Sequence, residues 1–323
     1  MTQLRLFALV LVTIVAAVSW ALTCGAWQLE REVARVGPLT PRHFARLTLV
    51  TAGTGGAYEN PERRGPASAV GYGDEVILVD AGRGVAEALR LAGIPVSQPS
   101  TVYLTNLLPE NTVGLDDLLL TGWLNGRGAP LRVVGPPGTR ALAEGLAAGH
   151  AGAIEARAEA LGLPTAGARA DVLEIEAGFE ERRGDLEVRA GALPGGPLEA
   201  FAYRFEAAGR SAVVAGTGWA PDALTEFASG AHLLAHEAVY VPDPEQAAQL
   251  GLGEAEIERL RREAALHTSI DTVGHLAHRA AVETLVLVRL RPPPVLDLQL
   301  TGRVDDAFSG RILIPSDGDE VHP

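Results

Sequence analysis

The sequence predicts an α/β (α+β) fold: a four-layer αβ/βα sandwich in which two mixed β-sheets pack face to face and helices cover their outer surfaces. Three observations predict it. Runs of strand character alternate with runs of helix character along the chain, which suits sheets backed by helices. Hairpin-type strands come in two blocks, which suits two sheets rather than one. The chain has 323 residues and is 47% apolar, enough for a sizeable core.

At the N-terminus, Leu6–Leu29 carries no charge and follows Arg5. It is longer than the roughly 20 apolar residues that cross a bilayer, so a transmembrane anchor is expected. Trp20 and Trp27 fall toward its distal end, where amphipathic rings are favoured. Arg5 and the amino terminus favour an N-in orientation. The expected location is therefore the cell membrane, with one N-terminal span and the domain on the extracytoplasmic (periplasmic) side. The alternative is a cleaved signal peptide, because Ser19-Trp20-Ala21 is a small-x-small site after a short apolar core; the domain would then be secreted to the periplasm. A lipoprotein site at Cys24 is disfavoured by Thr23 before the cut. Residues 30–45 read as a polar linker and 46–323 as the folded domain.

Within that domain, Arg46–Thr51 reads as a strand leading into the Gly-rich turn Gly53-Thr54-Gly55-Gly56. No helix follows closely, so this is not a dinucleotide fingerprint. Glu75–Asp80 is a β run ending in Val-Asp-Ala-Gly, and Val85–Ala92 is helical. Thr101–Leu104 is a short strand, followed by Thr105–Asp117 and the helical run Leu115–Leu120. Leu131–Val134 is a strand, and Thr139 opens an Ala-rich helix. Asp171–Ala177, Leu186–Ala192, Ala200–Phe205 and Ser211–Ala215 follow as strands, with a hairpin turn at Gly209-Arg210. Pro221–Ala228 is a helix with Pro near its start, and His232–Glu237 is a strand. Glu254–Leu266 and Ile270–Val282 are helices, the latter capped by Ser269 or Thr268. Thr284–Leu290 is a buried-type strand, and Pro292-Pro293-Pro294 opens the tail.

The 27 basic residues are all arginine, and the net charge is -13 with a pI near 5.1. That balance argues against a nucleic-acid partner, which needs phosphates neutralised by basic side chains. The single Cys24 rules out an intrachain disulfide and any Cys-rich zinc site.

The chemistry is expected in Thr105–Asp117, because α/β enzymes keep their sites beyond the C-terminal ends of strands. This stretch, Thr-Asn-Leu-Leu-Pro-Glu-Asn-Thr-Val-Gly-Leu-Asp-Asp, resembles the metal-binding loop of metallo-β-lactamase-fold hydrolases, where a strand ends in Thr-His-x-His-x-Asp-His. The Gly-Thr-Gly turn, Arg64-Gly65-Pro66 and Gly135-Pro136-Pro137-Gly138 add to the likeness, which covers Arg46 to Glu320 and is nearest the ribonuclease Z and arylsulfatase-like branch. The resemblance implies a zinc-dependent hydrolase of the metallo-β-lactamase fold. It also implies that the ligand positions hold Asn106, Leu108, Glu110, Asn111, Gly195, Thr217 and Arg289 here. Only Glu110 among them is a good anionic ligand. Leu108 is expected to be core, and Arg289, a permanent cation, to replace the missing metal charge by pairing with Glu110 or a nearby carboxylate. His236-Glu237-Ala238 and His267-Thr268-Ser269 match two further family motifs. The resemblance makes Glu237 the residue that orients His267, a proton donor to the leaving group.

The expectation is thus a membrane-tethered or exported protein without cofactor, whose zinc ligands are absent. It would be a non-catalytic binding or scaffolding domain with an unknown ligand in the former cleft. The alternative is a metal-dependent hydrolase of phosphoesters or sulfate esters, using an ion at Glu110, Asn106 and Asn111, or acid–base work by His267 and Glu237. A homodimer is expected only by analogy.

Overall fold

The computed structural model describes residues 2–323 other than 59, 217, 243, 250 and 292–296; side chains at 2–12, 34–36, 244, 263 and 297–300 also lie outside the description. The chain divides into two compact units, Met1–Leu39 and Thr40–Pro323. The first is one helix, α1 (Thr2–Val36). It overruns the expected linker, since Glu30–Val36 continues the helix. Among the described residues no helix is long and apolar enough to cross a membrane.

The second unit begins with β1 (Phe44–Gly53), β2 (Ala67–Gly73), β3 (Glu75–Val79), α2 (Val85–Leu91) and β4 (Thr101–Tyr103). Next come α3 (Pro109–Thr112), α4 (Leu115–Leu124), β5 (Leu131–Gly135), α5 (Thr139–Leu161) and β6 (Ala170–Glu174). The second sheet is supplied by β7 (Glu180–Arg183), β8 (Leu186–Ala192), β9 (Phe201–Ala207) and β10 (Arg210–Ala215), then α6 (Pro221–Phe227) and β11 (Leu233–Val239). The chain closes with α7 (Pro244–Gln249), α8 (Glu254–Ala264), α9 (Ile270–Arg279), β12 (Thr284–Arg291), α10 (Asp297–Asp305), β13 (Arg311–Leu313) and β14 (Asp319–Val321).

The strands form two seven-stranded mixed sheets, ordered β14-β1-β2-β3-β4-β5-β6 and β13-β12-β11-β10-β9-β8-β7. Alternation along each strand distributes side chains to different layers. In β11, Leu233 and Ala235 enter the core between the sheets, while Leu234 and Ala238 enter the layer under α6 and α9. Both faces of that strand are therefore covered, and every residue of Leu233–Val239 is buried, His236 and Glu237 included. Tyr103, Tyr203, Phe205 and Leu49 fill the inter-sheet core, and Val85, Leu89, Leu115 and Leu118 seal the outer face of the first sheet. Each such side chain fully buried contributes about 1.5–3 kcal/mol.

Some elements differ from the sequence expectation. The β9–β10 hairpin turns at Ala208-Gly209, one residue earlier than expected; both have positive φ (49° and 73°), as the tightest two-residue hairpins require. The supposed tail carries α10 and two edge strands, and β14 pairs antiparallel with β1 at the far end of the sequence. Of the two expected caps of α9, Ser269 is the one used: its Oγ accepts the Thr272 N–H at 3.1 Å.

Candidate functional site

The site gathers at the C-terminal ends of β3, β4, β10, β11 and β12, where both sheets meet. Two hydrogen bonds lace the sheets together there. Tyr203 Oη donates to the Leu104 carbonyl at 2.9 Å, and the Phe201 N–H donates to the Thr105 carbonyl at 2.8 Å.

Arg289 reaches this place through a break in β12. Val286 and Val288 face the inter-sheet core, while Leu285 and Leu287 face the helices. Simple alternation would send residue 289 to the helix side as well. Instead the register gains a residue between the pairs Glu237↔Val288 and Val239↔Arg291, and Arg289 takes a φ of 56°. This β-bulge re-aims the side chain. It also leaves the Arg289 N–H donating to the Thr54 carbonyl at 2.8 Å. A left-handed backbone at a non-glycine costs on the order of 1–3 kcal/mol and persists only where its surroundings over-determine it.

Here they do. The guanidinium is 4% exposed and pairs with the fully buried Asp80 carboxylate. Nη1 donates to Asn111 Oδ1 at 2.8 Å and to the Gly216 carbonyl at 3.1 Å. Asp80 also has a positive φ, 64°, at the turn leaving β3. Its carboxylate accepts the Thr105 N–H at 2.8 Å and the Thr105 hydroxyl at 2.9–3.0 Å. Burial pushes the Asp80 carboxyl above the usual carboxylate range, while Arg289 and the Thr105 donors pull the other way. Asn106 Oδ1 accepts from Asn111 Nδ2 at 2.8 Å and from the Leu108 N–H at 2.9 Å. Its own Nδ2 is buried without a hydrogen-bond partner. The packing is tight: a Cβ on Gly216 would lie 2.1 Å from Thr105 Oγ1 and 2.8 Å from Arg289 Nη1.

The second half of the site uses β11 and the loop before α9. His267 Nδ1 and Glu237 Oε2 are 2.7 Å apart, and both side chains are about 5% exposed or less. His236 is fully buried, with Nε2 2.8 Å from Thr268 Oγ1 and Nδ1 3.4 Å from the Ala215 carbonyl. A carbonyl only accepts, so Nδ1 carries the proton and Nε2 accepts from the Thr268 hydroxyl. Burial holds the His236 pKa below its ordinary value, which keeps this ring neutral. Thr268 packs so closely that a Cβ on Gly218 would lie 1.9 Å from its Oγ1. Glu237 Oε1 is buried without a hydrogen-bond partner. The charges of Glu237, Arg289 and His267 all act on His236, so the two halves are electrostatic neighbours.

Asn106, Asn111 and Arg289 are thus brought together, as are Glu237, His236 and His267. Arg289 pairs with a nearby carboxylate, Asp80, one of the two partners expected for it; the other, Glu110, has its Oε1 3.5 Å from Arg291 Nη2. The bulge separates Arg289 from that outer pair. Leu108 is half-buried at the head of α3 rather than core, since its residue serves the loop through backbone bonds. Gly195 sits exposed at a turn with φ 92°, away from the cluster's hydrogen bonds. Thr217 lies outside the described residues. Asp80 was the residue missed. Its signal was a carboxylate between the wholly apolar end of β3 and an Ala-Gly turn, a place where an unpaired charge is expensive.

The architecture defines the class. The chain resembles the metallo-β-lactamase-fold protein YhfI from Bacillus subtilis with a TM-score of 0.64 at 17% identity, covering 85% of this chain and 98% of that one. It resembles the short form of human tRNase Z with a TM-score of 0.58 at 19% identity, covering 85% and 98%. These likenesses place it in the metallo-β-lactamase fold. No family model matches the chain. Ribonuclease Z of Mycobacterium bovis (strain BCG / Pasteur 1173P2) is 30% identical over 285 residues, 86% of this chain and 99% of the relative. Ribonuclease Z of Mycobacterium sp. (strain KMS) is 31% identical over 281 residues, 85% and 95%. The chain belongs to the ribonuclease Z family of metallo-β-lactamase-fold hydrolases.

Zinc in this fold needs imidazole, thiolate or carboxylate donors converging on a point. Among the described residues no three His, Cys, Asp or Glu side chains do so. The cluster offers amide oxygens around a guanidinium already bonded to Asp80. The described residues do not fit a zinc centre.

Proposed function

We propose that this chain is a membrane-tethered or exported member of the family that has exchanged its metal centre for an internal ion pair. It acts there as a non-catalytic binding or scaffolding domain. One observation carries the reading: the Arg289 guanidinium, bonded to Asp80, Asn111 and the Gly216 carbonyl, sits among the residues that replace the family's ligands. A permanent cation at that point repels a metal ion and supplies the positive charge that Asp80 needs. The net charge of -13 argues further against a polynucleotide ligand.

A second reading, hydrolysis of phosphoesters or sulfate esters, is favoured by the Glu237–His267 pair at 2.7 Å, which has the geometry of an oriented acid–base group. Protein purified without chelator separates the two. The expected result is metal well below one equivalent, and no turnover of bis-p-nitrophenyl phosphate or p-nitrophenyl sulfate that Glu237→Gln abolishes. Near-stoichiometric zinc, manganese or iron, lost together with activity in Glu110→Ala, would overturn the proposal.

A further inference from the structure

Away from the strand ends that carry the site, the second sheet has a cavity at the hairpin end of β9 and β10. Its volume is about 380 Å³, within the range of roughly 300–1,000 Å³ that small-molecule pockets occupy. Over most of its outer face this sheet is apolar and lies under α6 and α9, through Ala202, Val213 and Leu234. Toward the hairpin the same face turns polar, because the residues that alternate onto it change character. Glu187, Glu206 and Ser211 stand in register across β8, β9 and β10, and His232 of the neighbouring strand joins the row through hydrogen bonds to Ser211.

The charges around this cavity leave one of each sign over. Glu206 is shared by two guanidiniums: Arg204 Nε donates to its Oε1 at 2.8 Å, and Arg189 pairs with its Oε2. One positive charge is therefore in excess there. Glu187 is matched by Arg182, and Arg210 faces Glu283 at 3.8 Å. Asp185, exposed at the turn into β8, lines the same cavity and has no partner among the described residues. It is the negative charge in excess. Two hydrogen-bond donors on the lining residues are also unused. Arg204 Nη1 donates to the Ser229 carbonyl at 3.0 Å, which leaves Nη2. His232 Nδ1 accepts the Ser211 N–H at 3.2 Å, so the neutral ring carries its proton on Nε2, which has no hydrogen-bond partner among the described residues. A lone anion entering here meets the unmatched Asp185, and a lone cation meets the unmatched guanidinium. A molecule with both charges satisfies the two together.

We propose that this cavity is a binding site for a small zwitterion of the α-amino acid class. The ligand's carboxylate accepts from Arg204 Nη2 and His232 Nε2, and its ammonium group donates to the Asp185 carboxylate. The cavity shares no residue with the Arg289 and His236 clusters, so this inference stands apart from the function proposed for them.

The test titrates the full chain with L-alanine and, separately, with propionate and ethylamine, which each keep one of its two charges. Binding is read by calorimetry and by the His232 imidazole resonance. L-Alanine should saturate at one equivalent and shift that resonance, and each single-charge probe should bind at least about tenfold more weakly. Asp185→Asn, a near-isosteric change at an exposed turn, should weaken L-alanine by about tenfold and leave propionate unchanged. Arg204→Gln, with its urea midpoint measured to check the fold, should weaken both. L-Alanine that neither saturates nor moves the His232 resonance would overturn the proposal. So would propionate that binds as tightly as L-alanine, which marks a simple anion site, or an Asp185→Asn variant that binds L-alanine like the parent. Metal or hydrolytic activity in the same preparation would bear on the strand-end site and leave this one standing.

Discussion

The two halves of the site bury charge in different ways. Around Arg289 a permanent guanidinium meets a carboxylate, and amides, a hydroxyl and backbone groups take up most of the remaining hydrogen bonds. Around His236 the groups are titratable: a neutral imidazole on a hydroxyl, beside a carboxylate–imidazole pair. The first half holds its charge on a guanidinium, which stays protonated, and the second holds a neutral imidazole, which burial keeps from charging. A buried ion pair whose removal strands its partner is an obligation on the fold, whereas a buried imidazole can shed its charge by losing a proton.

The largest effect should come from breaking the Arg289 half. Arg289→Met leaves Asp80 buried and unpaired, and should lower unfolding stability by about 3–5 kcal/mol in urea titrations. Adding Asp80→Asn should restore part of that loss. If Arg289→Met costs no more than a surface substitution, the pair is not what closes the centre.

His236 should contribute a pH dependence to stability. The folded-state pKa of His236 lies below its unfolded value. Between the two, only the unfolded chain binds the proton. The stabilisation is therefore complete above about 6.5 and lost as pH falls through the lower folded value, with a slope of at most about 1.4 kcal/mol per pH unit for this one proton. Urea midpoints measured across that range should fall on acidification, and His236→Gln should flatten the curve. An unchanged slope in the variant would assign the dependence to other groups.

The smallest effect sharpens the comparison at its edge. Ser269 caps α9 directly after His267 and Thr268, so Ser269→Ala should cost about 1 kcal/mol. It should also loosen the His236–Thr268 contact, read as a shift in the His236 imidazole resonance. The Arg289 half, anchored on β12 and β3, should show no such shift.

Much of this was legible in order but not in pairing. The apolar run of β12 announced a buried strand because both of its faces are covered. Asp80 stayed hidden. Within the sequence it is one turn residue among many, and it meets Arg289 across 209 positions.

By itself the sequence determined the two-sheet class and the uncharged N-terminal run, since residue identity and local periodicity carry that information. The tertiary structure decided which carboxylate answers Arg289, and it drew α10, β13 and β14 out of an expected tail. The reason is geometric. A bulge that inverts one side chain, and an edge strand that pairs with the first strand of the domain, are settled by contacts between segments far apart in the chain, which no local pattern encodes.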